Sequence, residues 1–250
     1  MRIYSNAYEL MSEMGRNLWE MGLENCPKTY QNKNIEGQDD FITKELTCEQ
    51  YCLTRLPDPE VLFVHTHSKD WADAEFEERL DVSGVNPGTA WKLRENIWKE
   101  FLNKYNKFDY TYGERMNRLF SFEDGMHTAL EEVIALLKRD NDTRKAILPI
   151  YDIQDTYHLS GDARIPCSMY YDFLIRTNTR GEKQLNICYH QRSSDFVTHF
   201  GNDVYLAWRL MEYVAKEVGV NRGYLYHTID SLHAYKRDWV VLKTSLNQML

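Results

Sequence analysis

Cys167 stands in Ile165-Pro166-Cys167-Ser168, upstream of the run Gln191-Arg192-Ser193-Ser194-Asp195. A thiol is nucleophilic only as the thiolate, and its ordinary pKa is about 8.5, so it needs a cation nearby. Arg192 is the candidate for that cation, and Pro166 stiffens the entry to the strand that carries the thiol. Without such help a cysteine is a small buried apolar residue. The guanidinium fork of Arg192 also matches phosphate oxygens, and Arg144 with Lys145 could complete a phosphate clamp. His233 and Tyr235, two apart on a strand, share one face. They could donate to a sugar hydroxyl, or sit in the core with satisfied hydrogen bonds. A nucleophile, an anion anchor and polar groups able to read a flat ring thus lie between Ala163 and Tyr235.

The elements that position these groups follow from periodicity. Residues 168–176 alternate and are aromatic, which predicts a strand, with 184–189 as its hairpin partner. A long helix is expected over 202–218 and a further strand over 223–228. Upstream, 146–151 reads as a buried strand, 141–145 as a polar turn, and 126–138 as an amphipathic helix with Leu130, Ile134 and Leu137 on one side. Helices are also expected over 4–22, 70–80 and 90–103, a turn at Asn86-Pro87-Gly88 and a short loop over 110–113. Residues 25–60 are polar and read as irregular, with Lys33 by default a solvated loop lysine.

Composition narrows the class. With 250 residues and 43% hydrophobic content the chain is globular, and in the absence of repeats or linkers it reads as one catalytic domain over 1–250. A net charge of −8 argues against a nucleic-acid surface, although a mononucleotide could still bind at a local arginine cluster. Five cysteines, an odd number with no Cys-x-x-Cys pair, and no leader-like stretch point to a reducing, cytoplasmic setting, a host's cytoplasm if the chain is viral. No apolar run approaches a membrane span, and no metal is expected.

Taken together, Pro166-Cys167, Gln191-Arg192-Ser193-x-Asp195, His233-x-Tyr235 and the basic pair Arg144-Lys145 resemble the thymidylate synthase family, over roughly residues 75–240. The resemblance implies an α/β (α+β) fold, a mixed sheet packed with helices, with the sheet at a homodimer interface and shared active sites. It implies a pyrimidine nucleoside monophosphate as substrate and 5,10-methylenetetrahydrofolate as co-substrate. Cys167 would attack C6 of the pyrimidine, and C5 would take the one-carbon unit. Arg192 and Ser193 would hold the phosphate, with Arg144 and Lys145 reaching it from the second subunit. Asp195 would bind the pterin, Trp98 line the folate pocket, Tyr112 sit near the catalytic water, and His233 and Tyr235 bind the sugar. Glu75 is the expected catalytic glutamate, with Glu77 as runner-up. Lys33 is the stand-in for an amino-terminal phosphate arginine that has no clear counterpart.

Departures from the family pattern sharpen this reading. Lys145 stands where an arginine is usual, Ser168 where histidine follows the cysteine, and His199 where relatives have glycine. The family's synthases carry asparagine eight positions after the Gln-Arg-Ser-x-Asp aspartate; here that position is Asp203, preceded by Asn202. A carboxylate accepts only, which suits the amino group of cytosine and repels uracil O4. The Asn-Asp pair resembles the deoxycytidylate 5-hydroxymethylase branch. The expected reaction is therefore dCMP to 5-hydroxymethyl-dCMP. Thymidylate synthesis from dUMP, CMP hydroxymethylation, dCMP methylation and a non-catalytic nucleotide-binding relative are the alternatives. The chain ends at Leu250 soon after Tyr235, and Trp98 is the one evident member of the family's tryptophan pair. A wetter site than a synthase's is expected on that basis.

Overall fold

The computed structural model describes residues 1–122, 125–159 and 163–248. Strand β1 (Arg2–Tyr4) leads into helix α1 (Ala7–Met21), then short strands β2 (Leu23–Asn25), β3 (Thr29–Tyr30) and β4 (Lys33–Asn34) and the long strand β5 (Thr43–Leu53). Helices α2 (Pro59–Leu62), α3 (Lys69–Leu80), α4 (Glu95–Trp98) and α5 (Tyr112–Met116) follow. The antiparallel pair β6 (Leu119–Phe122) and β7 (Gly125–Thr128) precedes α6 (Ala129–Arg139), β8 (Ile147–Pro149), β9 (Ser168–Thr177), β10 (Lys183–Gln191) and β11 (Ser194–Asp195). Helix α7 (Gly201–Val218), strand β12 (Asn221–Tyr235) and helix α8 (Trp239–Gln248) close the order.

Among the described residues the main sheet has eight strands, in the order β1-β5-β12-β10-β9-β8, with β2 on β5 and β11 on β12. It is mixed: β10 and β12 run parallel, whereas β9–β10 and β5–β12 are antiparallel. Alternation explains its two faces. Tyr171, Phe173 and Ile175 of β9, Leu185, Ile187 and Tyr189 of β10 and Leu225 and Ile229 of β12 are buried. Helix α7 packs on β10 and β12, and α1 on β5 and β12. Intervening residues such as Tyr170 and Tyr224 are exposed on the face these helices leave uncovered. The expected mixed sheet packed with helices is thus the observed architecture.

Five expectations need correction. Residues 25–60 are not irregular: β5 is a central strand, hidden in the sequence because Leu46, Cys52 and its other buried apolar positions are interspersed with Lys44, Glu45, Glu49 and Gln50. The helix expected over 90–103 breaks at Arg94, whose backbone (φ −136°, ψ 46°) is not helical. Its buried guanidinium stacks 5.1 Å from the Trp71 ring and donates to the Thr198 carbonyl, so tertiary contact overrides local propensity. The helix expected over 126–138 begins later, at Ala129, where Thr128 and Glu131 form a capping box after β7. Tyr112 is also helical, at the start of α5, capped by Thr111 and Glu114. Strand β12 continues past 228 as far as Tyr235, and so carries the His-x-Tyr pair.

Close backbone approach fixes the start of α7. A β-carbon on Gly201 would lie 2.0 Å from the Leu62 carbonyl oxygen, which no side-chain shift can relieve. Gly201→Ala is therefore expected to cost about 2–3 kcal/mol. A thermal melt checks this, with a midpoint lower by several degrees; an unchanged midpoint would show that α2 and α7 are not held this tightly.

Candidate active site

A cavity of about 300 Å³ opens where β9, β10 and β12 meet α3, α5 and the start of α7. Cys167, Glu75, Tyr112, Trp98, Arg192, Ser193, Asp195, His199, Asn202, Asp203, His233 and Tyr235 all line it. The sequence-predicted groups are thus brought together, except Arg144, Lys145 and Lys33. Arg144 and Lys145 are exposed just ahead of the edge strand β8. Lys33 lies outside the cavity wall and pairs with Glu100 at 2.6 Å. Glu77, the alternative to Glu75, is largely exposed and faces Arg209.

The β9–β10 hairpin places the Cys167 thiol. Arg192 follows β10, and its backbone amide donates to the Cys167 carbonyl at 2.8 Å. Its Nε donates to the Pro166 carbonyl at 2.9 Å and a terminal nitrogen to that of Ile165 at 3.2 Å. One guanidinium therefore braces the backbone before the thiol and places positive charge beside it. Burial pushes the Cys167 thiol up; Arg192 and Arg164 oppose that shift, and Asp203 adds to it. Ser168, where the family has histidine, is buried and bonds to the Tyr189 hydroxyl at 2.6 Å and to Tyr112 at 3.3 Å.

Asp203 projects from the first turn of α7. Its Oδ2 accepts from Gln191 Nε2 and from the Ser194 hydroxyl, both at 2.8 Å. Burial pushes this carboxyl up to about 6 against those two bonds. Gln191 is itself fixed: its Oε1 lies 3.1 Å from His227 Nε2, and His227 Nδ1 lies 2.8 Å from the Tyr51 hydroxyl. Because a carbonyl oxygen can only accept, His227 donates through Nε2 and accepts from Tyr51 through Nδ1. Burial drives His227 down to about 3, so the ring is neutral and the chain of bonds has one sense. Asn202, by contrast, is spent on structure: Ser68 donates to its Oδ1 at 2.8 Å, and its amide donates to the Thr198 carbonyl at 3.3 Å. Asp195 accepts from the amides of Val197 and Thr198, capping the π-helical turn over 196–200.

Helix α3 supplies the opposite wall. Glu75 is paired with Arg79 at 2.9 Å; burial raises the carboxyl and the guanidinium opposes it. Arg79 stacks 4.0 Å from the Tyr112 ring. Asn117 ties this helix to α5 by donating to the carbonyls of Arg79, Asp81 and Gly113. Sequence reasoning missed Arg79, although Glu-to-Arg at four-residue spacing is a legible helix pair. It also missed Arg164, a buried guanidinium on the cavity wall ringed by Trp98, Phe101, Phe108 and Tyr110 at 4.6–5.9 Å, whose Nε has no hydrogen-bond partner. Trp71 stacks on Trp98 at 5.8 Å and 17°, so a second tryptophan does accompany Trp98. His199 packs against Trp98 at 5.8 Å, its pKa lowered by burial and by Arg94. Among the described residues no cluster of side chains suits a metal ion, and no helix is long and apolar enough to cross a membrane. Leu250 lies outside the described residues.

Residues 89–249 match the thymidylate synthase family. A putative thymidylate synthase of Methanosarcina mazei is 28% identical over 187 residues, 68% of this chain and 79% of the relative. That of Methanococcoides burtonii is 32% identical over 155 residues, 60% of this chain and 66% of the relative. A deoxyuridylate hydroxymethyltransferase of Bacillus phage SP01 is 27% identical over 184 residues, covering 63% of this chain and 46% of the phage protein. The solved structure of thermostable thymidylate synthase A from Bacillus subtilis aligns with a TM-score of 0.73 over 97% of this chain and 84% of that one, at 15% identity, a likeness of fold. With more than half of its length matched, the chain belongs to the thymidylate synthase family.

Proposed function

We propose that this chain hydroxymethylates C5 of a cytosine nucleotide, dCMP, with Cys167 as nucleophile. The observation that carries the reading is the Asp203 carboxyl, buried, with Oδ2 taken by Gln191 and Ser194 and its pKa near neutrality at about 6. When protonated, such a carboxyl donates to cytosine N3 and accepts from the amino group; as a carboxylate it repels uracil O4. The phage relative named for deoxyuridylate favours a second reading, dUMP hydroxymethylation, against which Asp203 argues.

The steps follow from the groups present. The Cys167 thiolate adds to C6, the electron pair moves toward C5 and the base, and the proton shared with Asp203 stabilises N3 of the adduct. Arg192 and Ser193 hold the phosphate, and His233 and Tyr235 the sugar. Methylenetetrahydrofolate, the co-substrate of the family, supplies the one-carbon unit. The stacked Trp71–Trp98 pair suits its rings. The unmet donors on Arg164, Trp71, Trp91 and Trp98 suit its carbonyl and carboxylate oxygens, and Asp195 its pterin. Loss of the C5 proton and departure of tetrahydrofolate leave an exocyclic methylene on C5; water rather than hydride adds to that methylene carbon, and the returning electron pair expels the Cys167 thiolate from C6. Arg164 and Glu75 make this wall polar, and Glu75 with Tyr112 or His199 orients the water. Arg144 and Lys145 reach the phosphate of a second copy, the uncovered sheet face forming the twofold interface.

The direct test is incubation of dCMP, dUMP and CMP with methylenetetrahydrofolate and mass analysis of the product. We expect 5-hydroxymethyl-dCMP, with none of the near-ultraviolet absorbance rise that marks dihydrofolate. A rise in step with product would make the enzyme a methylating synthase.

The second expectation concerns pH. The reactive form carries protonated Asp203 and ionised Cys167. For the wild type, kcat/KM on dCMP climbs with pH up to about 6, then levels, because thiolate gained is offset by carboxyl protons lost. In Asp203→Asn the climb continues above 6. Selectivity for dCMP over dUMP falls by about two orders of magnitude. Parallel pH profiles and equal selectivity in the two proteins would contradict the role given to Asp203.

A further inference from the structure

We propose that Ser168 and Tyr189 are positioning residues for the Tyr112 hydroxyl, a one-way chain of hydroxyls that turns the Tyr112 proton into the cavity, onto the water that adds to the exocyclic methylene. The inference deepens the reading of the reaction above and rests on it. Ser168 opens β9 beside Cys167, and it is buried together with Tyr189. Its Oγ lies 3.3 Å from the Tyr112 hydroxyl, and in that bond Ser168 is the donor. A serine hydroxyl carries one proton, so Tyr189 is the donor in the 2.6 Å bond between Tyr189 and Ser168. The order is therefore Tyr189 to Ser168 to Tyr112. Among the described residues no protein acceptor takes the Tyr112 proton, and Tyr112 lines the cavity together with Cys167.

The fold holds both ends of this chain. Tyr189 lies opposite Tyr171 in the antiparallel β9–β10 register and beside His227 in the parallel β10–β12 register. Its ring stacks on Tyr171 at 4.5 Å and 19° and on His227 at 4.4 Å and 17°, so strand pairing fixes the Tyr189 hydroxyl. At the other end the Arg79 guanidinium stacks 4.0 Å from the Tyr112 ring, and Thr111 caps the helix that Tyr112 begins. A site built for packing alone would carry alanine at 168 and phenylalanine at 189, because a buried hydroxyl costs free energy that its partners must offset. Serine, in place of the family's usual histidine, is the residue that joins the two phenols. A hydroxyl that receives a hydrogen bond is polarised by it, so Tyr112 is a stronger donor than an isolated phenol. In the step itself the water oxygen bonds to the methylene carbon and the proton it loses passes to the Glu75 carboxylate on the cavity wall. The returning electron pair expels the Cys167 thiolate. Tyr112 keeps its own proton and aims it at the water oxygen.

The test is a double-mutant cycle on kcat, with product from dCMP and methylenetetrahydrofolate followed by mass. Ser168→Ala should lower kcat about tenfold and Tyr189→Phe about fivefold, with KM for dCMP within about twofold in both. Tyr189→Phe removes one oxygen and keeps the stacked ring, so it folds whatever Ser168→Ala does. Tyr112→Phe should itself be about a hundredfold slower. On that background neither second substitution should change kcat by more than about twofold, because the chain acts only through the Tyr112 hydroxyl. Full multiplicative losses on that background overturn the inference, since a structural cost would be felt with or without that hydroxyl. So does an unchanged kcat in both single variants. Either result leaves a hydroxymethyl product standing, whereas a methylated product from the wild type removes the water step and this inference with it.

Discussion

Everything at this site turns on keeping one carboxyl, Asp203, out of water. An ionised carboxylate alone in a buried wall is costly, and the protein answers with two donors on one oxygen and a pKa near neutrality. The donors are themselves fixed from behind. Tyr51 on β5, His227 on β12 and Gln191 at the end of β10 form one hydrogen-bonded row across three neighbouring strands, and the row has a single sense because the buried imidazole is neutral. Sheet register is therefore what aims the Gln191 amide at Asp203. A slip of one residue in β10 would turn that amide to the other face of the sheet.

The same hairpin serves the thiol. Cys167 precedes β9 and Arg192 follows β10, so antiparallel pairing brings them together whatever the rest of the chain does. This locality is why Cys167 and Arg192 were legible in the sequence, whereas Asp203, on helix α7 outside that hairpin, was reached through its spacing from Asp195 in the family resemblance. His233 and Tyr235 were legible for a similar reason, since strand alternation puts both on the cavity side of β12.

What was not legible arrives from far away. Gln31 and Arg164 reach the cavity through the β3–β4 hairpin and the loop before β9, and neither position carries a periodic signal. Strand β5 escaped because its alternation mixes charged residues with few large apolar ones, while its burial depends on α1 and β12. Lys33 was read as a cation free for phosphate. Its charge is instead taken by Glu100, a contact between segments that no spacing rule connects. Among the three buried guanidiniums, Arg79 followed a helix rule. Arg94 broke its helix to reach Trp71 and Thr198, which local propensity would not suggest. Charge buried among aromatic rings is set by tertiary packing, and it makes the wall facing Cys167 polar where an apolar wall would exclude water.

On the proposed reading, Cys167 activates a cytosine ring that Asp203 recognises. Reversible addition at C6 loosens the hydrogen on C5, so exchange of that hydrogen in deuterated water, without folate, reports the covalent step alone. Exchange into dCMP is expected, faster than into dUMP, and none with Cys167→Ala. Exchange into dUMP only, or exchange that survives loss of the thiol, would contradict it.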